Sequence, residues 1–150
     1  DTAHHKVNQR FTILIIGGSQ GAHRINMAVM EALEYLKDKG RLHFVHQTGE
    51  PDEEPVRAAY RRHDIQFTVQ SFFDDMAELY RRADLLICRA GATTVAEISA
   101  LGKAAIFIPF PYLSFLFSCS SLLTKKRPSI SVISIINAAE ILFIAGELSL

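Results

Sequence analysis

Two glycine-bearing segments hold residues whose types and spacing could bind a ligand. In residues 11–22, F-T-I-L-I-I-G-G-S-Q-G-A, an uncharged run from Thr12 to Ile16 enters Gly17, Gly18, Ser19, Gln20 and Gly21, and a helical pattern follows at once. Glycines let main-chain N–H groups come close to a ligand. The start of the next helix adds unpaired N–H donors and a partial positive charge, which suits a phosphate. No G-K-[ST] follows the glycines, which excludes a Walker-type loop, and the spacing is not the G-x-G-x-x-G of dinucleotide folds. A tight strand-to-helix turn without a ligand accounts for the same residues. The second segment, Arg89-Ala90-Gly91-Ala92-Thr93-Thr94, again stands between an apolar run and a helix. Three residues on, Glu97 completes a T-x-x-E capping box with Thr94, or lends a carboxylate to a ribose diol; spacing alone favours the cap. Asp74-Asp75 precedes an apolar helical run and reads as a cap rather than a metal site, since no third ligand is spaced for a metal.

These segments need rigid elements to aim them, and the apolar periodicity supplies a candidate set. Residues 22–37 carry Ile25, Ala28, Val29, Ala32, Leu33 and Leu36 at helical spacing, with Gly40 as the expected stop. Residues 42–46 read as a second strand, and the acids of E-P-D-E-E (50–54) open a helix to about Arg62. Residues 65–69 give a third strand, 76–82 a short helix and 84–88 a fourth strand. A helix over about 95–101 stops at Gly102, and 104–108 is a fifth strand, ended by Pro109-Phe110-Pro111. This alternation predicts a doubly wound parallel sheet whose ligands collect beyond the carboxyl ends of the strands. Segments 17–21, 47–49, 72–75 and 89–94 fall there. Two glycine loops on one rim suggest a ligand with phosphates and more.

Composition narrows the classes. The 150 residues balance 16 basic against 16 acidic side chains, which leaves no basic excess for nucleic acid. Cys88 and Cys119 give neither zinc spacing nor a disulfide framework. Residues 1–10 lack an apolar signal core and read as a linker or the cut end of a longer chain.

Taken together, G-G-S-Q-G-A (17–22), H-Q-T-G (46–49), F-F-D-D-M (72–76), C-R-A-G-A-T-T-V-A-E (88–97) and I-P-F-P (108–111) closely resemble the C-terminal domain of the MurG family of bacterial N-acetylglucosamine transferases. The resemblance spans about residues 10–112. It implies a Rossmann-like α/β domain, a parallel sheet with helices on both faces, as the donor-binding C-terminal half of a GT-B glycosyltransferase. The implied reaction is inverting transfer of N-acetylglucosamine from UDP-N-acetylglucosamine to lipid I, giving lipid II for peptidoglycan. The resemblance places Gly18, Ser19, Gln20 and Gly21 at the sugar nucleotide, with Ser19 near the diphosphate. It sets Phe73 against uracil through main-chain bonds, and Ala92, Thr93, Thr94, Val95, Ala96 and Glu97 around the nucleotide, with Glu97 on the ribose hydroxyls. That moves Glu97 from cap to ribose ligand, with capping as a second role. His46 and Gln47 are held as a supporting layer or as structural residues. No metal or other cofactor is expected, because helix dipoles can neutralise the diphosphate. No catalytic residue is expected in this chain: the general base and the lipid I groove belong to the family's N-terminal domain. The implied place is cytoplasmic, at the inner face of the bacterial membrane, with peripheral membrane contact carried mostly by that other half.

After Tyr112 the resemblance stops. Residues 113–150 contain no Asp, Gln or His, and the family's D-x-x-Q-x-x-N-A segment is replaced by serine-rich apolar sequence. The break reads as a change of reading frame, against a pseudogene-like end or a divergent native tail. A membrane helix over 130–145 is the weaker reading, being short and interrupted by Glu140. The β-branched run 130–136 permits a sixth strand. Two other functions stay open: a split transferase subunit that needs a membrane partner, and a catalytically dead nucleotide-binding or interaction module.

Overall fold

The apolar runs form strands β1 (Phe11–Ile16), β2 (Leu42–Gln47), β3 (Gln66–Gln70), β4 (Leu85–Arg89) and β5 (Ala104–Ile108). Between them run helices α1 (Ala22–Ala32), α2 (Glu53–Arg62), α3 (Met76–Arg82) and α4 (Ala92–Leu101). The structure, a computed structural model, describes residues 10–17, 22–89, 91–108 and 132–134. Gly18, Ser19, Gln20, Gly21 and Ala90, residues 1–9 of the expected linker 1–10, the Pro109-Phe110-Pro111 stop and all of the tail but Val132–Ser134 lie outside the described residues. That short stretch is β6, within the β-branched run that permitted a strand.

All pairings are parallel, in the order β3-β2-β1-β4-β5-β6. The chain winds outward from β1 through β2 to β3, then returns to the other side of β1 for β4, β5 and β6. Asp84 secures this return: its N–H donates to the Thr12 carbonyl (2.9 Å), and its carboxylate accepts from the Thr12 N–H (2.8 Å).

Period-two alternation sorts the strand residues onto two faces. Ile13, Ile15, Phe44, Leu85, Ile87 and Ile106 pack with Ile25, Val29 and Leu33 of the α1 segment and Val56 and Tyr60 of α2. Leu14, Val45, Leu86, Cys88, Ala105 and Phe107 pack on the other face with Tyr80 of α3 and Ile98 of α4. Helices therefore cover both faces, as the sequence pattern predicts. Every residue of β4 is buried, while β3 shows exposed Gln66, Thr68 and Gln70, the polar dress of an edge strand.

Several boundaries differ from the sequence expectation. α1 ends at Ala32 and continues as a 3-10 turn, Leu33–Tyr35, which still buries Leu33. Gly40 is not the helix stop; it lies inside a second 3-10 turn, Lys39–Arg41. Glu50–Asp52 is also a 3-10 turn, so α2 begins at Glu53. Gly102 does end α4, in the left-handed region at φ 62° that glycine adopts without strain.

Candidate nucleotide site

The direction of winding reverses between β1 and β4, and such a reversal opens a crevice beyond the carboxyl ends of the two strands. Ile16 pairs with Cys88, so Gly17 and Arg89 leave the sheet side by side. The two glycine segments predicted from sequence thus begin at one switch point. Arg89 is buried there; burial, and then the charge of Arg24 from the first turn of α1, lower its pKa from the ordinary guanidinium value. Two cationic side chains thus lie near one another at this rim. Sequence reasoning did not single them out.

Gly91 is the N-cap of α4, with φ −81° and ψ 143°, and among the described residues no side chain caps the helix. A Cβ placed on Gly91 would meet only Thr94 Oγ1 at 3.6 Å, an ordinary contact. Neither conformation nor packing within the described residues demands a glycine, so the bare backbone keeps space open beside uncapped N–H groups. This geometry overturns the Thr94–Glu97 capping box. The helix starts three residues earlier than expected, Thr94 falls in its first turn, and Glu97 sits in the second turn, out of reach of the cap position. Thr93, Ala96 and Glu97 are exposed on a common face, whereas Val95 packs against the core under α4. The Tyr80 hydroxyl is raised in pKa by burial, by the Glu97 charge and by a hydrogen bond to Glu97, which places that carboxylate on the α3 side of α4.

The other two rim segments are tied together. Gly49, at φ 76°, turns the chain after β2, and its N–H donates to the Ser71 carbonyl at 3.0 Å. Gln47 Oε1 accepts from the Phe73 N–H at 3.1 Å. The Phe73 side chain is buried in the core, while Phe72 is exposed. The expected main-chain contacts of Phe73 are thereby narrowed, since its N–H is engaged by Gln47. Asp75 caps α3 by accepting from the Glu78 N–H at 3.0 Å, as read from sequence. Among the described residues no three His, Cys, Asp or Glu side chains converge as a metal site.

Beneath the rim lies a polar cluster around His46, held from the family motif as a supporting or structural residue, whose partner Asn26 the apolar-stripe reading passed over. His46, Asn26 and Thr48 are buried. His46 contacts the Tyr60 hydroxyl through Nδ1 (3.0 Å) and Asn26 Oδ1 through Nε2 (2.8 Å). Asn26 Nδ2 donates to the Thr48 carbonyl (3.0 Å) and to Asp52 (2.7 Å). Burial pushes His46 down to about pH 3. Burial would raise Asp52, but hydrogen bonds from Asn26 and His23 and the His23 charge outweigh it and hold the carboxyl below its usual range. The signal available in the sequence was a pair of polar residues, Asn26 and His46, standing inside otherwise apolar faces. Cys88 is an inert buried thiol, its pKa pushed up to about 12.

A parallel sheet with two helix N-termini converging on its switch point is the build of one Rossmann-like half of a GT-B glycosyltransferase. The chain belongs to the glycosyltransferase family 28 C-terminal domain, whose model matches residues 12–114. A UDP-N-acetylglucosamine–N-acetylmuramyl-(pentapeptide) pyrophosphoryl-undecaprenol N-acetylglucosamine transferase of Pelobacter propionicus is 59% identical over 104 residues, covering 69% of this chain and 27% of the relative. A protein of the same name from Syntrophus aciditrophicus is 56% identical over 108 residues, 71% of this chain and 30% of the relative. The chain therefore spans under a third of the length of these relatives. The crystal structure of Acinetobacter baumannii MurG superposes with a TM-score of 0.73 at 28% identity, over 97% of this chain and 43% of that one. The glycosyltransferase WaaG shares the fold, with a TM-score of 0.55 at 18% identity over 93% of this chain and 38% of that one.

Proposed function

We propose that this chain is the donor-binding half of an inverting transferase that moves N-acetylglucosamine from UDP-N-acetylglucosamine to lipid I, forming lipid II for peptidoglycan. The observation that carries the reading is the uncapped α4 N-terminus behind Gly91 at the switch point, in a chain of this family. Gly18, Ser19, Gln20 and Gly21 lead into α1 and cradle the diphosphate, with Ser19 donating to it. Ala92, Thr93, Thr94, Val95 and Ala96 offer main-chain groups along the nucleotide, and Glu97 accepts from the ribose hydroxyls. With its N–H engaged by Gln47, Phe73 recognises uracil through its carbonyl, which accepts from N3–H. Cytosine carries no proton at that nitrogen and is rejected.

The transition state is oxocarbenium-like, and negative charge grows on the departing UDP. Two helix N-termini with Arg24 and Arg89 close by stabilise that charge without a metal. The general base and the lipid I groove are supplied by the family's N-terminal domain, so this chain alone binds donor and transfers nothing. The reaction takes place on the cytoplasmic side, at the inner face of the bacterial membrane where lipid I is presented. Among the described residues no helix is long and apolar enough to cross a membrane.

Calorimetric titration of the intact chain with UDP-N-acetylglucosamine, CDP and ADP-glucose tests this. Binding is expected for the uridine ligand alone. Glu97→Ala should weaken it by roughly tenfold, the order of one lost hydrogen bond to a charged group. Equal affinity for all three nucleotides would sink the proposal.

A further inference from the structure

We propose that His46 is a positioning residue for the nucleotide diphosphate. Held as the neutral Nε2–H tautomer between Tyr60 and Asn26, it fixes, through Asn26, where the first turns of α1 stand against the exit of β2. The inference rests on the donor-half reading above and assigns the diphosphate's placement to residues that never touch it.

The hydrogen-bond roles are forced. The Thr48 carbonyl and the Asp52 carboxylate can only accept, so the Asn26 amide nitrogen must face them. Asn26 Oδ1 is then left to accept, and the group facing it is His46 Nε2, which must carry the proton. His46 Nδ1 is consequently the acceptor, and the Tyr60 hydroxyl donates to it. No member can reverse without breaking a neighbour. The relay spans α2, β2, α1 and the Glu50–Asp52 turn. His23, in the first turn of α1, reaches Asp52 at 3.0 Å and holds the same turn from the solvent side.

Stability does not require this arrangement. An apolar side chain at position 46 facing another at 26 would bury area without desolvating an imidazole and an amide. Apolar packing is non-directional, however, and leaves a helix free to slide or rotate by fractions of an ångström. Directional bonds fix that placement. The helix so fixed is the one whose N-terminus follows the G-G-S-Q-G segment, where misplacement costs phosphate contacts.

The test uses the intact chain, labelled with 15N, and titrates UDP and uridine. Long-range 15N–1H spectra should show His46 protonated at Nε2. Tyr60→Phe keeps the ring but removes the donor to Nδ1, and Asn26→Asp removes the amide. Each should weaken UDP by roughly tenfold while leaving uridine within about twofold, because only the diphosphate meets α1. If Asn26→Asp fails to fold, Tyr60→Phe decides. A wild-type imidazole protonated at Nδ1, unchanged affinity, or equal losses for UDP and uridine would overturn the relay while leaving the donor site intact. Failure of the wild type to bind either ligand would overturn both.

Discussion

His46 stays neutral down to about pH 3 because its ring is sealed among β2, α1 and α2. In the unfolded chain the same ring takes a proton near pH 6.5. The unfolded state therefore binds one more proton between those values. The stability this difference contributes is fully present above pH 6.5 and is lost as pH falls toward 3. The slope approaches ~1.4 kcal/mol per pH unit. Urea melts at pH 7, 5.5 and 4 should show the wild type losing stability faster than His46→Gln, which has no proton to take up. Parallel curves would show that the ring is protonated in the fold. Asp52 adds a separate loss at lower pH: its folded pKa is depressed, so its contribution is present above the unfolded carboxylate value and fades below it.

At the scale of elements, α4 is the helix on which fold and function part company. Its glycine cap has an ordinary negative φ and room for a methyl group, so Gly91→Ala should lower stability by no more than about 1 kcal/mol, the size of a weakened N-cap preference. Donor affinity should nevertheless fall severalfold, because the methyl projects into the space that the bare backbone leaves. Thermal melts beside a UDP titration check both halves. A large drop in stability would mean that the glycine serves the fold. The elements themselves were legible in sequence because strong periodicities fixed them: α3 and β5 match their expected bounds, and Gly102 stops α4. The start of α4 was not legible. The β-branched pair Thr93-Thr94 is a poor helix marker, and the T-x-x-E spacing pointed to a cap that backbone geometry places at Gly91. Gly40 misled for a related reason, since a glycine also suits a 3-10 turn. His46 was legible only through the family motif, and its partner Asn26 was hidden because apolar spacing describes a face by its majority and ignores a lone polar residue within it.

For the whole molecule, packing and winding set the remaining behaviour. An apolar cavity of about 20 Å³ lies between the sheet and the α1 segment, bordered by Ile13, Val29, Leu33, Phe44 and Ile87. Its lining offers water no partner, so it stays dry. Val29→Ile adds one methylene toward it and should raise stability by about 0.8 kcal/mol, read as a higher melting temperature with unchanged UDP affinity. A fall in melting temperature would mean that the cavity cannot take the group. The seam between β1 and β4 has a consequence of another kind. Thr12 meets its partner Asp84 only 72 positions later in the chain. At ribosomal speeds that interval lasts roughly 4–14 s. Throughout it, one side of the Ile13-Leu14-Ile15 run has made none of its final ladder bonds, and a naked apolar edge of this kind invites pairing with other nascent chains. That exposure closes only once the fourth strand has left the exit tunnel.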